Sequence, residues 1–324
     1  MPALSRALFD RLCAPGPRLA WLQEWLLGLV WTSERFAQQN PEQYLKEGER
    51  QVNELEEIIA SAAPKVYDEL TSVPVNRELS SFLDGPEPAA VVIFDGLSLR
   101  EMPALLRLAA QAGLSVVEQG VGLAALPSET VDFVEQRVGC GRVGPSQLGT
   151  RRELAERGVA AYYYAYPGER HPLDLQARAL LLWSSFPDNT YKDAGARFAE
   201  HFAQTQALMG AAWNSTVMAL PRDRRILITS DHGYIFLGAG LSFTRDREYL
   251  RPLSQHLGGE RYTRISKDGE PAVHEDLKVY RDRDVAVLKG RVQLHPPGPG
   301  ASRLYKHGGM SLMEMLTPWL VLST

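Results

Sequence analysis

The sequence predicts an α/β fold, a mostly parallel sheet covered by helices on both faces, preceded by a helical N-terminal segment and carrying a small irregular β-rich cap. Two observations predict it. From residue 89 onward, short apolar runs rich in β-branched residues alternate with helix-like stretches, the pattern of a parallel sheet flanked by crossover helices. Before residue 85 no strand-like run occurs, and apolar residues recur at three- and four-residue intervals, as in Val52-Asn-Glu-Leu-Glu-Glu-Ile-Ile-Ala60.

The breaker cluster Asp84-Gly-Pro-Glu-Pro88 sets the boundary, giving a helical segment over 1–85 and a main domain over 86–324. Strands are expected over Ala90–Phe94, Leu114–Glu118, Ala160–Ala165, Leu180–Trp183, Arg225–Thr229, Val285–Leu288 and Trp319–Leu322. Helices are expected over Ser98–Ala112, Asp193–Leu220 and Ser311–Leu316. Residues 239–300 are rich in glycine, charge and short alternating patches, and read as an irregular β-rich cap.

Composition narrows the function classes. Of the 324 residues, 44% are apolar and 23% charged, so a packed core can form. A net charge of −4 does not mark a dedicated nucleic-acid binder, which gathers a positive excess, although local basic patches remain open. Cys13 and Cys140 are too few for a disulfide framework or a thiolate zinc site, so the expected location is the cytoplasm. Leu19 to Trp31 is interrupted by Gln23 and Glu24 and supports neither a membrane span nor a secretory peptide.

In a parallel sheet, ligands gather at the carboxyl ends of strands. The first main-domain strand ends in Asp95-Gly96-Leu97-Ser98, and Ile226-Leu-Ile-Thr229 runs into Ser230-Asp231-His232-Gly233. Each end delivers a metal-ligand type directly after an apolar strand; taken alone, Asp95 also reads as a turn former and Asp231-His232 as a solvated loop. Lys306-His307-Gly-Gly309 reads as a ligand on a close-approach loop or as a flexible turn. In Ala125-Leu-Pro-Ser128-Glu129-Thr130-Val131, Thr130 is a candidate nucleophile, since a hydroxyl set in a metal site gains the activation it otherwise lacks. The same stretch reads as a cap for a helix beginning near Val131, through Ser128 or Thr130.

His171, His201 and His256 lack nearby ligand partners and read as structural, and Tyr162-Tyr-Tyr164 reads as strand rather than as a stacking platform. Arg222, Arg224 and Arg225 read as the cap of a helix end. The arginine-rich stretch Arg245 to Arg264 reads either as a groove for an anionic substrate or as solvated surface.

The order Asp95-Gly96, Pro127-Ser-Glu-Thr130, Thr229-Ser-Asp231-His232-Gly233 and His307-Gly-Gly309 resembles the alkaline phosphatase superfamily, and within it the PglZ-domain proteins of BREX phage defence and of some signalling proteins. The resemblance covers about Ala89 to Ser323. It implies an alkaline-phosphatase-like fold and a divalent metal site, most often zinc with two ions, acting on a phosphate-ester or nucleotide substrate. One ion is then held by Asp95, Thr130, Asp231 and His232. The second is held by an Asp, a His four residues later, and the late His307. Asp188 stands at the position of that Asp, but four residues on is Lys192, a departure from the pattern; the lysine could take the place of the ion by charge and contact a phosphate oxygen.

The expected function is metal-dependent phosphodiester or phosphate hydrolysis through Thr130, in phage defence or nucleotide signalling. The alternative is a catalytically impaired scaffold subunit of a phage-defence complex, docked to its partners through residues 1–85. No membrane partner is expected.

Overall fold

The computed structural model describes residues 6–14, 16–71, 77–191, 198–238, 240–243, 245–266, 274–294 and 305–323. The N-terminal segment is helical, as its periodicity predicts: α1 (Arg6–Cys13), α2 (Leu19–Trp25, continuing as a π-helical turn to Val30), α3 (Ser33–Gln38), α4 (Pro41–Ala62), α5 (Val66–Glu69) and α6 (Ser80–Leu83). The long α4 starts on Asn40, whose side chain accepts from the Gln43 amide, with Pro41 at the first helical position, where no amide partner is needed.

The central sheet has six strands in the order β2-β11-β5-β1-β4-β3: β1 (Ala89–Phe94), β2 (Ser115–Leu123), β3 (Val159–Tyr164), β4 (Ala179–Ser184), β5 (Arg225–Thr229) and β11 (Leu316–Ser323). β1 lies between β4 and β5 and is parallel to both, while β11 runs antiparallel to its neighbours β2 and β5. Every residue of β1 and β4 is buried, which is why these strands read as unbroken apolar runs instead of alternating ones. Val91 and Ile93 face one core with α6 and Phe133; Ala90, Val92 and Phe94 face the other with α7 (Met102–Gln111) and α11 (Phe198–Ser215). The remaining helices are α8 (Thr130–Phe133, continuing as a π-helical turn to Val138), α9 (Arg152–Glu156), α10 (Asp188–Tyr191), α12 (Arg247–Leu257) and α13 (Leu312–Met315).

Several expectations are corrected. Val285–Leu288 is a strand, but it belongs to the cap: as β9 it is the middle of a three-stranded antiparallel sheet with β7 (Tyr262–Arg264) and β8 (Leu277–Tyr280). The cap also holds α12, hidden in the sequence by Pro252 within it. β2 extends to Leu123, five residues beyond its expected end, because its second half pairs with β11 through Leu316. Two further short strands, β6 (Ile235–Phe236) and β10 (Tyr305–Lys306), pair with each other. Arg224 does not cap a helix; its guanidinium donates to the carbonyls of Leu175, Ala177 and Arg178 at the entry to β4. Among the described residues, no helix is long and apolar enough to cross a membrane.

α4 is tied to the main domain and to the cap by buried charge. Glu49 accepts from Arg100 Nε at 2.6 Å and from Arg291 Nη2 at 2.6 Å, with all three side chains fully buried. About two turns further on, Glu56 accepts from the Leu312 amide at 2.9 Å, but its second oxygen has no hydrogen-bond partner among the described residues. Burial pushes the Glu56 carboxyl up to about 7, with the charge of Glu314 adding to the rise and Arg291 opposing it. Burial likewise raises Glu101 to about 7.

A carboxyl raised in the folded state keeps a proton that the unfolded chain has released, so stability falls as pH rises from about 4.5 to about 7 and is level above that. Glu56→Gln is therefore expected to be more stable than wild type at pH 8 by roughly 2–3 kcal/mol, with the gap closing towards pH 5. Thermal melts at the two pH values check this; a gap that does not change with pH contradicts it.

Candidate metal centre

Four chain segments meet beyond the carboxyl ends of β1, β2, β4 and β5, and each brings one or two polar side chains. Asp95 follows β1, and its amide donates to Ser184 O of β4, carrying the ladder one residue past the strand. Asp231 and His232 follow β5. There Ser230 shapes the turn: its Oγ accepts from the Leu97 amide at 2.8 Å and lies 2.7 Å from the carbonyls of both Phe94 and His232. Gly233 completes it, because a Cβ at that position would stand 2.2 Å from the Met313 carbonyl oxygen. Asp188 begins α10, and its amide donates to the Asp95 carbonyl at 3.0 Å.

The side chains converge. Asp231 Oδ1 accepts from the Gly96 amide at 3.0 Å, and its Oδ2 accepts from Thr130 Oγ1 at 2.7 Å. His232 Nδ1 faces the Gly233 carbonyl at 3.0 Å, which makes that nitrogen the donor. Its Nε2 is thereby turned inward, 3.4 Å from Thr130 Oγ1 and 3.6 Å from both Asp95 Oδ1 and Asp231 Oδ2. Asp95 Oδ2 accepts from Trp183 Nε1 at 3.3 Å, whereas Asp95 Oδ1 is buried with no hydrogen-bond partner among the described residues.

Among the described residues two groups place their ligand atoms within 4.8 Å of one another: Asp95, Asp231 and His232, and Asp188, His232 and His307. His232 is common to both, and its ring stacks on that of His307 with centroids 4.0 Å apart. A divalent cation fits the first group on the chemistry of its donors. Two carboxylates, an inward imidazole nitrogen and one buried carboxylate oxygen with no hydrogen-bond partner among the described residues form an oxygen and nitrogen donor set of the kind a divalent cation binds.

Burial, and after it the charges of Asp231 and Asp188, push the Asp95 carboxyl well above the usual carboxylate range. Burial alone would depress the His307 imidazole, but its hydrogen bond to Glu129 and the charges of Glu129 and Asp188 outweigh that and hold it up at about 10.

The structure thus brings Asp95, Thr130, Asp188, Asp231, His232 and His307 into one cluster. Lys192 lies outside the described residues. The expectation that Ser128 or Thr130 caps the following helix is not met: Thr130 is itself the first helical residue, and Ser128 Oγ instead accepts from the Gly308 amide and donates to Gly309 O, each at 2.9 Å. The arginine-rich stretch of the cap divides: Arg247 and Arg251 are exposed, as the surface reading expects, whereas Arg261 is buried against Glu314 and Arg264 clasps both oxygens of Asp132 at 2.5 and 2.7 Å. His201 is structural, as expected, bonded to Thr190 and to Tyr305.

The sequence reading missed Glu314 and Glu129. Glu314 accepts from the Gly309 amide through its side chain, and its carbonyl accepts from Gly233, so it ties the two histidine-bearing loops together. The capping pattern Ser311-x-x-Glu314 is visible in sequence; its reach to the two loops is not.

No protein-family model matches the sequence, and no curated protein matches it. Solved structures do. The murine ectonucleotide pyrophosphatase/phosphodiesterase 5, solved in complex with AMP, is 14% identical with a TM-score of 0.43, over 72% of this chain and 87% of that one. Phosphonoacetate hydrolase from Sinorhizobium meliloti, with phosphonoformate, is 11% identical with a TM-score of 0.40, over 72% and 89%. These are distant likenesses of fold.

Gly233→Ala is expected to push the Asp231-His232 turn off the Met313 carbonyl and to lower stability by roughly 2–4 kcal/mol. Denaturant titration measures the loss; a variant within about 0.5 kcal/mol of wild type contradicts the turn's role.

Proposed function

We propose that this chain is a metal-dependent phosphoric-ester hydrolase of the alkaline phosphatase type, with Thr130 as its nucleophile. One observation carries the reading: the Thr130 hydroxyl lies 2.7 Å from Asp231 Oδ2 and 3.4 Å from His232 Nε2, which in turn lies 3.6 Å from the buried Asp95 Oδ1. A lone threonine hydroxyl is a poor nucleophile; one set among these ligands is not.

Asp95, Asp231, His232 and the Thr130 oxygen would hold the first ion, and Asp188 and His307, beside His232, a second. Zinc suits the mixed carboxylate and imidazole donors. When bound, the ion lowers the pKa of the threonine hydroxyl and offsets charge on the phosphoryl oxygens. Within the chain, Asp231 Oδ2 orients the hydroxyl and is the first acceptor for its proton. The bond from Thr130 Oγ1 to phosphorus forms as the ester bond breaks, and the proton held by Asp231 passes to the departing alkoxide, which leaves as the alcohol; water then attacks phosphorus, its hydroxyl staying on the phosphate and its proton going to Oγ1 as the threonine phosphoester breaks. The Gly96 amide and Trp183 Nε1 hold the two aspartates in place throughout.

The sequence likeness of Thr229-Ser-Asp231-His232-Gly-Tyr234 and of the segment following His307 to PglZ domains supports the PglZ type. With it come a phosphodiester or nucleotide substrate, a cytoplasmic setting, and a role in phage defence or nucleotide signalling. In such a setting the helical segment at residues 1–85 would meet other defence proteins.

Thr130→Ala is expected to cut hydrolysis of a chromogenic phosphodiester at least about 100-fold, with Thr130→Ser retaining part of it. Undiminished turnover in Thr130→Ala removes the nucleophile assignment. Zinc is expected to raise the melting temperature of the wild-type chain. Asp95→Asn, which relieves the repulsion of the apo cluster, should melt no lower than wild type without metal and gain nothing from zinc. An equal zinc-induced gain in both proteins contradicts the ligand assignment.

A further inference from the structure

Glu129 precedes the nucleophile in the chain and has no part in the chemistry above. Its Oε1 lies 3.2 Å from His307 Nδ1, and the same nitrogen lies 3.2 Å from the Ser128 carbonyl oxygen. Both neighbours are acceptors, so Nδ1 carries the hydrogen. The other nitrogen, Nε2, is thereby the one turned towards Asp188 Oδ1, 3.9 Å away, with the ring stacked on His232.

The packing around this contact leaves little freedom. Ser128 Oγ binds both the Gly308 amide and the Gly309 carbonyl, so the nucleophile loop and the His307 loop are docked backbone to side chain on either side of the Glu129 contact. Gly308 has φ +98°, and a Cβ there would stand 2.8 Å from Glu129 Oε1 and 2.8 Å from Tyr262 Cδ1. The carboxylate occupies a slot that only a glycine at 308 leaves open. Burial would raise the Glu129 carboxyl, yet His307 outweighs that and holds it below the usual range.

We infer that Glu129 is the positioning residue of the second ion: it holds His307 with Nδ1 protonated, so that Nε2 is presented beside Asp188 and His232 as a ligand. This rests on the metal-site reading proposed above. Metal-ligating histidines commonly donate their second ring N–H to a carboxylate that fixes tautomer and orientation. Here the carboxylate comes from the residue next to the nucleophile, so the geometry of the second ion is linked to that of Thr130 through one peptide unit. An ion held at Nε2 would take the place of a proton there alone, and the Nδ1 hydrogen would stay on the ring, donated to Glu129.

The experiment is a zinc titration of the full chain against a chromogenic chelator, for wild type, Glu129→Ala, Glu129→Asp and His307→Ala, with melting temperatures recorded for each metal-free protein. The expected result is two ions on wild type. Glu129→Ala should lose about 10–100-fold in affinity for one ion and hold the other within about two-fold, and Glu129→Asp should recover part of the loss. Adding Glu129→Ala to His307→Ala should cost nothing further, because the two act through one ligand. The inference is overturned if Glu129→Ala weakens both ions alike, if it weakens neither, if the two substitutions add in full, or if wild type binds a single ion. Wild type binding no ion at all overturns the metal-site reading itself.

Discussion

Asp95 and Asp231 stand at the carboxyl ends of neighbouring strands, β1 and β5, with Asp188 close behind, and their mutual repulsion in a buried setting is the constraint the rest of the site answers to. The parallel register of β1 with β4 and β5 fixes where those strand ends fall, so the carboxylates cannot move apart without disturbing the sheet. Buried like charges are tolerated when something neutralises them. Part of the answer is built in: the Gly96 amide, Trp183 Nε1 and the Thr130 hydroxyl each donate to one of the two aspartates. What they leave is Asp95 Oδ1, buried and without a hydrogen-bond partner among the described residues. A cation is the group that this atom, Asp231 and His232 Nε2 can bind together.

The parts of the fold away from the sheet brace that arrangement with buried ion pairs. Glu49 of α4 receives Arg100, which follows the Asp95 loop, and Arg291 of the cap. Arg261 of the cap donates to Glu314, which in turn binds the loops of His232 and His307. Breaking one partner of such a pair leaves an uncompensated buried charge, a far larger loss than removing a surface pair. The N-terminal helices also share an apolar core with α13 and the loop before it, through Leu22, Leu55, Met310 and Leu312.

Part of this was legible in the sequence because several candidate ligands follow a recognisable element. A buried strand in a parallel sheet is a continuous apolar run, and a charged residue directly after one stands out, as at Asp95 and Asp231. Thr130 was findable for a different reason: it lies in an ordered string of motifs. The rest was hidden by long-range pairing. Arg100, Arg261 and Arg291 look like surface residues in sequence, and it is carboxylates together with backbone carbonyls of distant segments that receive them when buried. Pro252 masked α12, and the partner of Val285–Leu288 could not be chosen from a run of four apolar residues. Glu129 reads as one more polar residue in a loop until the His307 segment, far along the chain, packs against it.

The measurement that bears most directly on the site is a crystal structure of the zinc-loaded chain with anomalous data collected at the zinc edge. An anomalous peak at about 2.0–2.2 Å from Asp95 Oδ1, an Asp231 carboxylate oxygen and His232 Nε2, within reach of Thr130 Oγ1, is the result predicted here. A fully zinc-saturated crystal in which those atoms carry no peak, with Asp95 Oδ1 bonded to a protein donor instead, would contradict it.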